Sequence, residues 1–176
     1  MTIGIDVSQL AYPNTGVANY LKNLCLEMFE NDAHEYVLFF SSLRGQLDPQ
    51  FEDFVKDKKN VTLKRFPLPQ SILSLLWNKL HIFPIEQFIG RVDTFITSDW
   101  TEPPSKGKKA SILYDLVVYT HPEETDEKIV ATQKEKHKWM KSEADMIFCI
   151  SKSTKKDAQE ILGIDQNKLH VLYPGI

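Results

Sequence analysis

The sequence predicts an α/β fold built on a parallel sheet, and three observations predict it. Short runs rich in β-branched and aromatic residues alternate with amphipathic helical stretches, the pattern of strands joined by helical crossovers. The apolar run from Met146 to Ile150 is continuous instead of alternating, as a strand covered on both faces requires. The chain of 176 residues is 42% hydrophobic and 26% charged, enough for one sizeable core and too little for two.

Taken in order, the first strand is Ile3 to Val7, followed by a loop from Asp6 to Gly16. A helix from about Thr15 to Phe29 comes next, because Val17, Tyr20, Leu21, Leu24, Cys25 and Met28 share one face at helical spacing. Strands are then read at Tyr36 to Phe40, Val61 to Arg65, Thr94 to Thr97 and Ser111 to Tyr114. The stretch Ile72 to Ile89, broken by Pro84, is the most apolar and reads as a hairpin of helices. Core packing accounts for it, and an acceptor groove or a membrane interface is the alternative; Lys79 and Arg91 are its only cations, fewer than interfacial helices carry. A long charged helix follows Pro122, from about Glu123 to Lys141. Strand Met146 to Ile150 leads to a helix capped by Ser151 and closed by Gly163, and strand Leu169 to Leu172 ends the series. The stop after Pro174-Gly175 reads as a domain border.

Charge and special residues narrow the function. Lysine and arginine number 21 against 24 acidic residues, a net −3 that argues against nucleic acid as the main partner. Met1-Thr2-Ile3-Gly4-Ile5 runs straight into a strand without a cationic leader, so the cytoplasm is the expected compartment. Cys25 and Cys149 sit in apolar patterns and read as buried reduced thiols. The five histidines lack metal-ligand spacing, and no metal is expected.

Ligands of open parallel sheets collect outside the carboxyl ends of the strands. Tyr12-Pro13-Asn14-Thr15-Gly16 lies there, and free N–H groups at a helix start suit an anion, so Gly16 is a candidate phosphate or sugar contact. With no G-x-G-x-x-G and no P-loop sequence, a plain turn glycine is the alternative. Ser151, Lys152 and Lys155 crowd a second helix start, where the dipole disfavours cations; an anion contact or a solvated basic face balanced by Asp157 and Glu160 both fit.

Four segments in order resemble one family. Ile3-Gly4-Ile5-Asp6, Asn14-Thr15-Gly16-Val17 and Tyr20-Leu21-Lys22-Asn23-Leu24 resemble the opening of the group 1, family 4 glycosyltransferases. Ile112-Leu113-Tyr114-Asp115-Leu116 with His121-Pro122-Glu123 is similar to the family's central segments. Ala144-Asp145 through Ser151-Lys152-Ser153-Thr154-Lys155, and His170-Val171-Leu172-Tyr173-Pro174-Gly175, are similar to the segment before its hinge; residues 41–92 carry little of the likeness.

The resemblance implies a Rossmann-like three-layer domain over 1–176, the amino-terminal, acceptor-binding half of a GT-B enzyme. A carboxyl-terminal nucleotide-sugar domain would be absent from this sequence, and the isolated domain inactive. The implied reaction moves a sugar from a nucleotide diphosphate sugar, the co-substrate, to a glycan or lipid-linked acceptor with retained configuration and no metal or other cofactor. The resemblance makes Asn14, Thr15, Gly16, Tyr114 and Asp115 donor phosphate or sugar contacts, and Asn19, Trp100 and His121 acceptor contacts; no catalytic residue is assigned. Peripheral contact with the inner membrane face would follow from a lipid-linked acceptor. One departure stands out: Tyr114 occupies the position where the family pattern has histidine, and a phenol is a poor base at neutral pH. Tyr114 packing at a strand end, Asp115 capping a turn and His121-Pro122-Glu123 opening a helix are the structural alternatives. Two other functions share the pattern: a response-regulator or flavodoxin-like binding module, disfavoured by the single Asp6 and the missing flavin-phosphate loop, and a non-catalytic glycan-binding or scaffold domain.

Overall fold

In the computed structural model, which describes residues 1–175, the strands form one seven-stranded, all-parallel sheet. They are β1 (Thr2–Asp6), β2 (Glu35–Ser41), β3 (Val61–Phe66), β4 (Thr94–Thr97), β5 (Lys108–Leu113), β6 (Met146–Cys149) and β7 (Leu169–Val171). Their spatial order is β3-β2-β1-β4-β5-β6-β7, so the order reverses between β1 and β4 and opens a crevice at their carboxyl ends. The helices are α1 (Gly16–Phe29), α2 (Pro49–Asp57), α3 (Gln70–Leu73), α4 (Glu86–Ile89), α5 (Val117–Thr120), α6 (Glu127–Glu143) and α7 (Lys152–Glu160).

Register divides the side chains between two layers. Ile5 pairs with Leu38 and Ile96, and this face packs on Leu21, Cys25 and Phe29 of α1 and Phe51 and Val55 of α2. Phe39 and Phe95 point the other way onto Leu73, Trp77, Ile85 and Ile89, while Leu113, Ile147 and Cys149 meet Met140, Ala144 and Ala158. The three-layer α/β architecture expected from the alternating pattern is therefore present. Gly4 is required by packing, since a Cβ there would lie 2.7 Å from the Phe95 ring and 2.8 Å from Ile89.

Boundaries differ from expectation in a few places. β5 begins three residues earlier than Ser111 and ends at Leu113, leaving Tyr114 just beyond it. The long helix starts at Glu127 with the Asp126 side chain accepting from the Lys128 N–H, and Pro122–Glu124 forms a separate 3₁₀ turn. Asp126 starts the helix because its carboxylate accepts a free N–H of the first turn, whereas the Pro122 side chain has no acceptor to offer. Helix α2 was not expected; Pro49 at its start and two backbone N–H groups bonded to Asp48 explain it. The apolar stretch forms α3, then a π-helical turn over Ser74–Lys79, then α4. It supplies core through Leu73, Trp77, Ile85 and Ile89, yet Ile72, Leu75, Leu80, Ile82 and Phe83 are exposed. Cys25 and Cys149 are buried and unbridged. No helix among the described residues is long and apolar enough to cross a membrane.

Candidate functional site

A cleft of about 290 Å³ opens at the carboxyl ends of β4 and β5. Val17 of α1 forms one wall, Asp99 and Trp100 follow β4, Tyr114 and Asp115 follow β5, and α6 contributes Ile129, Gln133, Lys136 and His137. A neighbouring cavity of about 350 Å³ between α3, its π-helical extension and α6 shares Trp100 and Ile129 with it. Three residues predicted from sequence, Trp100, Tyr114 and Asp115, thus meet in one cleft.

Each has local ties. The Tyr114 ring is buried edge-on against Tyr20, with centroids 5.6 Å apart, and its hydroxyl lies 3.2 Å from the Ser98 hydroxyl. Burial raises its pKa, so the phenol stays protonated and is no base at neutral pH. Asp115 accepts a hydrogen bond from the Val117 N–H at 3.0 Å, starting α5, while still lining the cleft. The cap and the site position coexist in that residue.

The residues at the start of α1 stand beside the cleft through Val17 and are exposed. Asn14 adopts a left-handed backbone, φ 71°, and the Thr15 hydroxyl accepts from the Ala18 N–H at 3.2 Å. Gly16 is not a turn glycine: it is the first residue of α1, and a Cβ there would meet nothing within 4 Å. Asn19 is exposed one turn further along α1, and exposed His121 caps α5 outside the cleft lining. The Ser151 hydroxyl accepts from the Thr154 N–H at 3.0 Å, with Lys152 exposed and Lys155 half-buried beside it. The Thr154 hydroxyl donates to the Tyr114 carbonyl at 3.2 Å, fastening α7 to the end of β5.

Beneath the cleft lies a polar layer that apolar patterning does not flag. Lys136 is 1% exposed and donates to the Ser98 carbonyl. Burial lowers its pKa, and Glu102, Asp99 and Asp6 act in opposition. Burial raises the pKa of Asp99, with Lys136 opposing and Asp115 reinforcing. The Gln133 amide donates to the Asp99 carbonyl at 3.0 Å. His137 is driven down to about 3 by burial and by Lys136, so its ring is neutral, and its Nδ1 is buried with no partner. Trp100 Nε1 is likewise buried and unpartnered.

Further in, Glu102 is fully buried. It accepts from the Thr97 hydroxyl at 2.7 Å, the Ser111 hydroxyl at 2.9 Å and the Lys109 ammonium at 3.1 Å. Lys109 also reaches Glu143 at 2.8 Å, and Glu143 lies 2.7 Å from His81 Nε2, whose ring stacks on Trp139 at 3.6 Å. Asn78, in the π-helical turn, donates to the Trp100 carbonyl at 2.9 Å and accepts from the Glu102 N–H at 3.0 Å. Trp100 is held in place by this layer.

Gln133, Lys136 and His137 were not expected at the site. Their signal was the spacing of 133, 136, 137 and 140, one helical face that ends on buried Met140 but carries mostly polar residues. Among the described residues no group of three or more His, Cys, Asp or Glu could hold a metal ion.

No curated protein matches the chain. Among solved structures it is similar to a short-chain dehydrogenase from Oenococcus oeni PSU-1, at 14% identity and a TM-score of 0.41 over 99% of this chain and 96% of that one. Likeness at that level says nothing of activity. The sequence pattern of Glycosyltransferase Family 4 matches residues 14–176, taking in every cleft residue named above, and the chain therefore belongs to that family.

Proposed function

We propose that the chain is the amino-terminal, acceptor-side domain of a retaining, hexosyltransferase-type glycosyltransferase. It would act on a nucleotide diphosphate sugar and pass the sugar to a glycan or lipid-linked acceptor in polysaccharide or glycoconjugate biosynthesis. The observation that carries the reading is the cleft at the β4 and β5 ends, beside an unobstructed helix start, in a family 4 chain.

In this reading the α1 N–H groups around Gly16 face the leaving diphosphate, which the helix dipole favours. Nothing in the packing or dihedrals of position 16 demands glycine, so close approach by a ligand is the reason offered for it. Tyr114 and Asp115 contact the transferred sugar, Tyr114 as a protonated hydroxyl. Asn19, Trp100 and His121 serve the acceptor, and Ser151, Lys152 and Lys155 add positive charge for an anion. The main nucleotide-sugar site belongs to a second domain, and no metal or further cofactor takes part. A cytoplasmic setting at the inner membrane face suits a lipid-linked acceptor; exposed Ile72, Leu75, Leu80, Ile82 and Phe83 support it.

The test is acceptor-dependent release of nucleoside diphosphate by the full-length protein, scanned over common nucleotide diphosphate sugars. Release with glycosylated product is expected, and none from the 176-residue chain alone. Glycan binding with no release from any donor would replace this reading with the non-catalytic glycan-binding domain.

A further inference from the structure

The segment between β3 and β4 carries apolar side chains that the core does not use. Ile72, Leu75, Leu80, Ile82 and Phe83 are each at least 41% exposed, whereas Leu73, Trp77, Ile85 and Ile89 of the same segment are buried. His81 and Phe83 hold left-handed backbone, φ 52° and 61°, which bulky residues rarely adopt. That conformation is pinned from inside. Trp77 Nε1 donates to the Phe83 carbonyl at 3.0 Å, and the Leu80 and Ile82 N–H groups donate to the Leu75 and Leu76 carbonyls at 2.9 Å. The His81 ring stacks on Trp139 and lies 2.7 Å from Glu143. The loop thus turns these backbone polar groups inward and its apolar side chains outward, the arrangement that entry into hydrocarbon requires.

Charge identifies what covers this face. Lys79 and Arg91 are the cations of the segment itself, and folding adds two from α6. Lys128 lines the same cavity as Leu75 and Lys79, and the Lys138 ammonium lies 5.1 Å over the Trp139 ring on which His81 stacks. All four are exposed, and none forms an ion pair among the described residues. Glu143 and Glu86 beside the segment are already engaged, the first by Lys109 and His81, the second by the Ser105 hydroxyl and the Lys106 N–H. The cavity of about 350 Å³ sets Leu75, Trp100 and Ile129 beside Lys79 and Lys128, with no carboxylate on its wall. Apolar side chains among free cations complement a layer of anionic lipid headgroups. Two copies meeting through this face would set like charges against each other, which disfavours self-association.

We infer that the exposed face of residues 72–83, with Lys79, Lys128 and Lys138 around it, docks onto an anionic lipid surface that Leu80, Ile82 and Phe83 enter. The inference deepens the membrane setting proposed above by naming the docking face and the charge of the lipid. The cavity shares Trp100 and Ile129 with the cleft, so a lipid-linked acceptor in the same leaflet would approach the cleft along this face.

The test is partition of the chain onto sedimented vesicles, either of phosphatidylcholine alone or of equal parts phosphatidylcholine and phosphatidylglycerol, at about 0.1 M salt. Binding to the anionic vesicles is expected to be about tenfold tighter or more than to the neutral ones. Leu80→Ser with Ile82→Ser should weaken it about tenfold, and Lys79→Gln with Lys138→Gln should weaken it by a similar factor on anionic vesicles only. Both pairs are exposed, so the thermal melting curve should be unchanged and serves as the control for folding. Equal partition onto the two vesicle types, or partition indifferent to the Leu80 and Ile82 changes, would overturn the assignment. So would concentration-dependent self-association in the absence of lipid that Leu80→Ser with Ile82→Ser abolishes, because the face would then belong to a second copy.

Vesicle binding needs neither donor nor acceptor, so it is read independently of transfer. Docking without sugar transfer by the full-length protein would leave the surface standing and remove the transferase reading. Transfer to soluble acceptors with no vesicle binding would do the reverse.

Discussion

Replacing Lys109 with methionine tests whether the polar layer under the cleft is an energetic unit. Lys109 is 3% exposed and bridges Glu102 at 3.1 Å and Glu143 at 2.8 Å. Lys109→Met keeps the apolar stem of the side chain and removes the ammonium, leaving the Glu102 carboxylate fully buried with only the Thr97 and Ser111 hydroxyls as side-chain donors. Breaking a buried pair by deleting one partner costs about 3–5 kcal/mol. At roughly 2–4 °C per kcal/mol for a domain of this size, the melting temperature should fall by about 6–20 °C. Glu102→Gln should cost less, about 1–2 kcal/mol, because the amide can still bond both hydroxyls and Lys109 retains Glu143. The double variant Lys109→Met/Glu102→Gln removes the stranded charge, so it should be more stable than Lys109→Met alone, with a coupling of about 2–3 kcal/mol. Urea denaturation followed by tryptophan fluorescence, with calorimetry for the midpoint, measures the cycle. A loss below about 1 kcal/mol in Lys109→Met, or additivity within about 0.5 kcal/mol, would refute the reasoning.

Three other predictions follow from the same geometry. Gly16→Ala should leave stability unchanged or raise it by up to about 1 kcal/mol, since a Cβ meets nothing there, yet lower kcat/KM of the full-length enzyme about tenfold or more if a diphosphate approaches that backbone; unaltered kinetics would remove Gly16 from the site. His137 titrates at about 3 when folded against about 6.5 when unfolded, so the unfolded chain binds the extra proton in that window. Stability should therefore fall as pH drops below 6.5, by up to about 1.4 kcal/mol per unit from this residue, and His137→Gln should flatten the slope in denaturation series at several pH values. Lys152→Gln with Lys155→Gln should raise a substrate Michaelis constant of the full-length enzyme if α7 greets an anion; unchanged constants would make these residues a solvated face.

The architecture was largely legible because burial on two faces leaves a strong mark. Leu38 and Ile96 on one face, Phe39 and Phe95 on the other, produce continuous apolar runs that read as central strands. Ends were less legible: Tyr114 is as apolar as a strand residue, and only the missing ladder partner separates it from β5. The short α2 carries its signal in a cap and a proline, Asp48 and Pro49, and in Phe51, Phe54 and Val55 at helical spacing, a pattern that lasts only nine residues. At the site, Trp100, Tyr114 and Asp115 were found because ligand-facing residues follow strand ends. Lys136 and His137 were hidden because a charged helix reads as solvated, and nothing local reveals that Ser98, Asp99 and Glu102, about 35 positions away, make a polar face worth burying.

The central position of β1 has a consequence for synthesis. β1 pairs with β2 on one side and with β4 on the other, and the Asp93 carboxylate accepts from the Thr2 N–H at 2.7 Å. Some ninety residues separate these partners, so at 5–20 residues per second β1 waits roughly 5–20 s after its own translation before β4 leaves the ribosome. During that interval β1, β2 and β3 can join, with α1 and α2 over one face, but the free edge of β1 and the face bearing Phe39 remain bare. The nascent chain is therefore most exposed to mispairing, and most in need of a chaperone, while residues between β3 and β4 are being made.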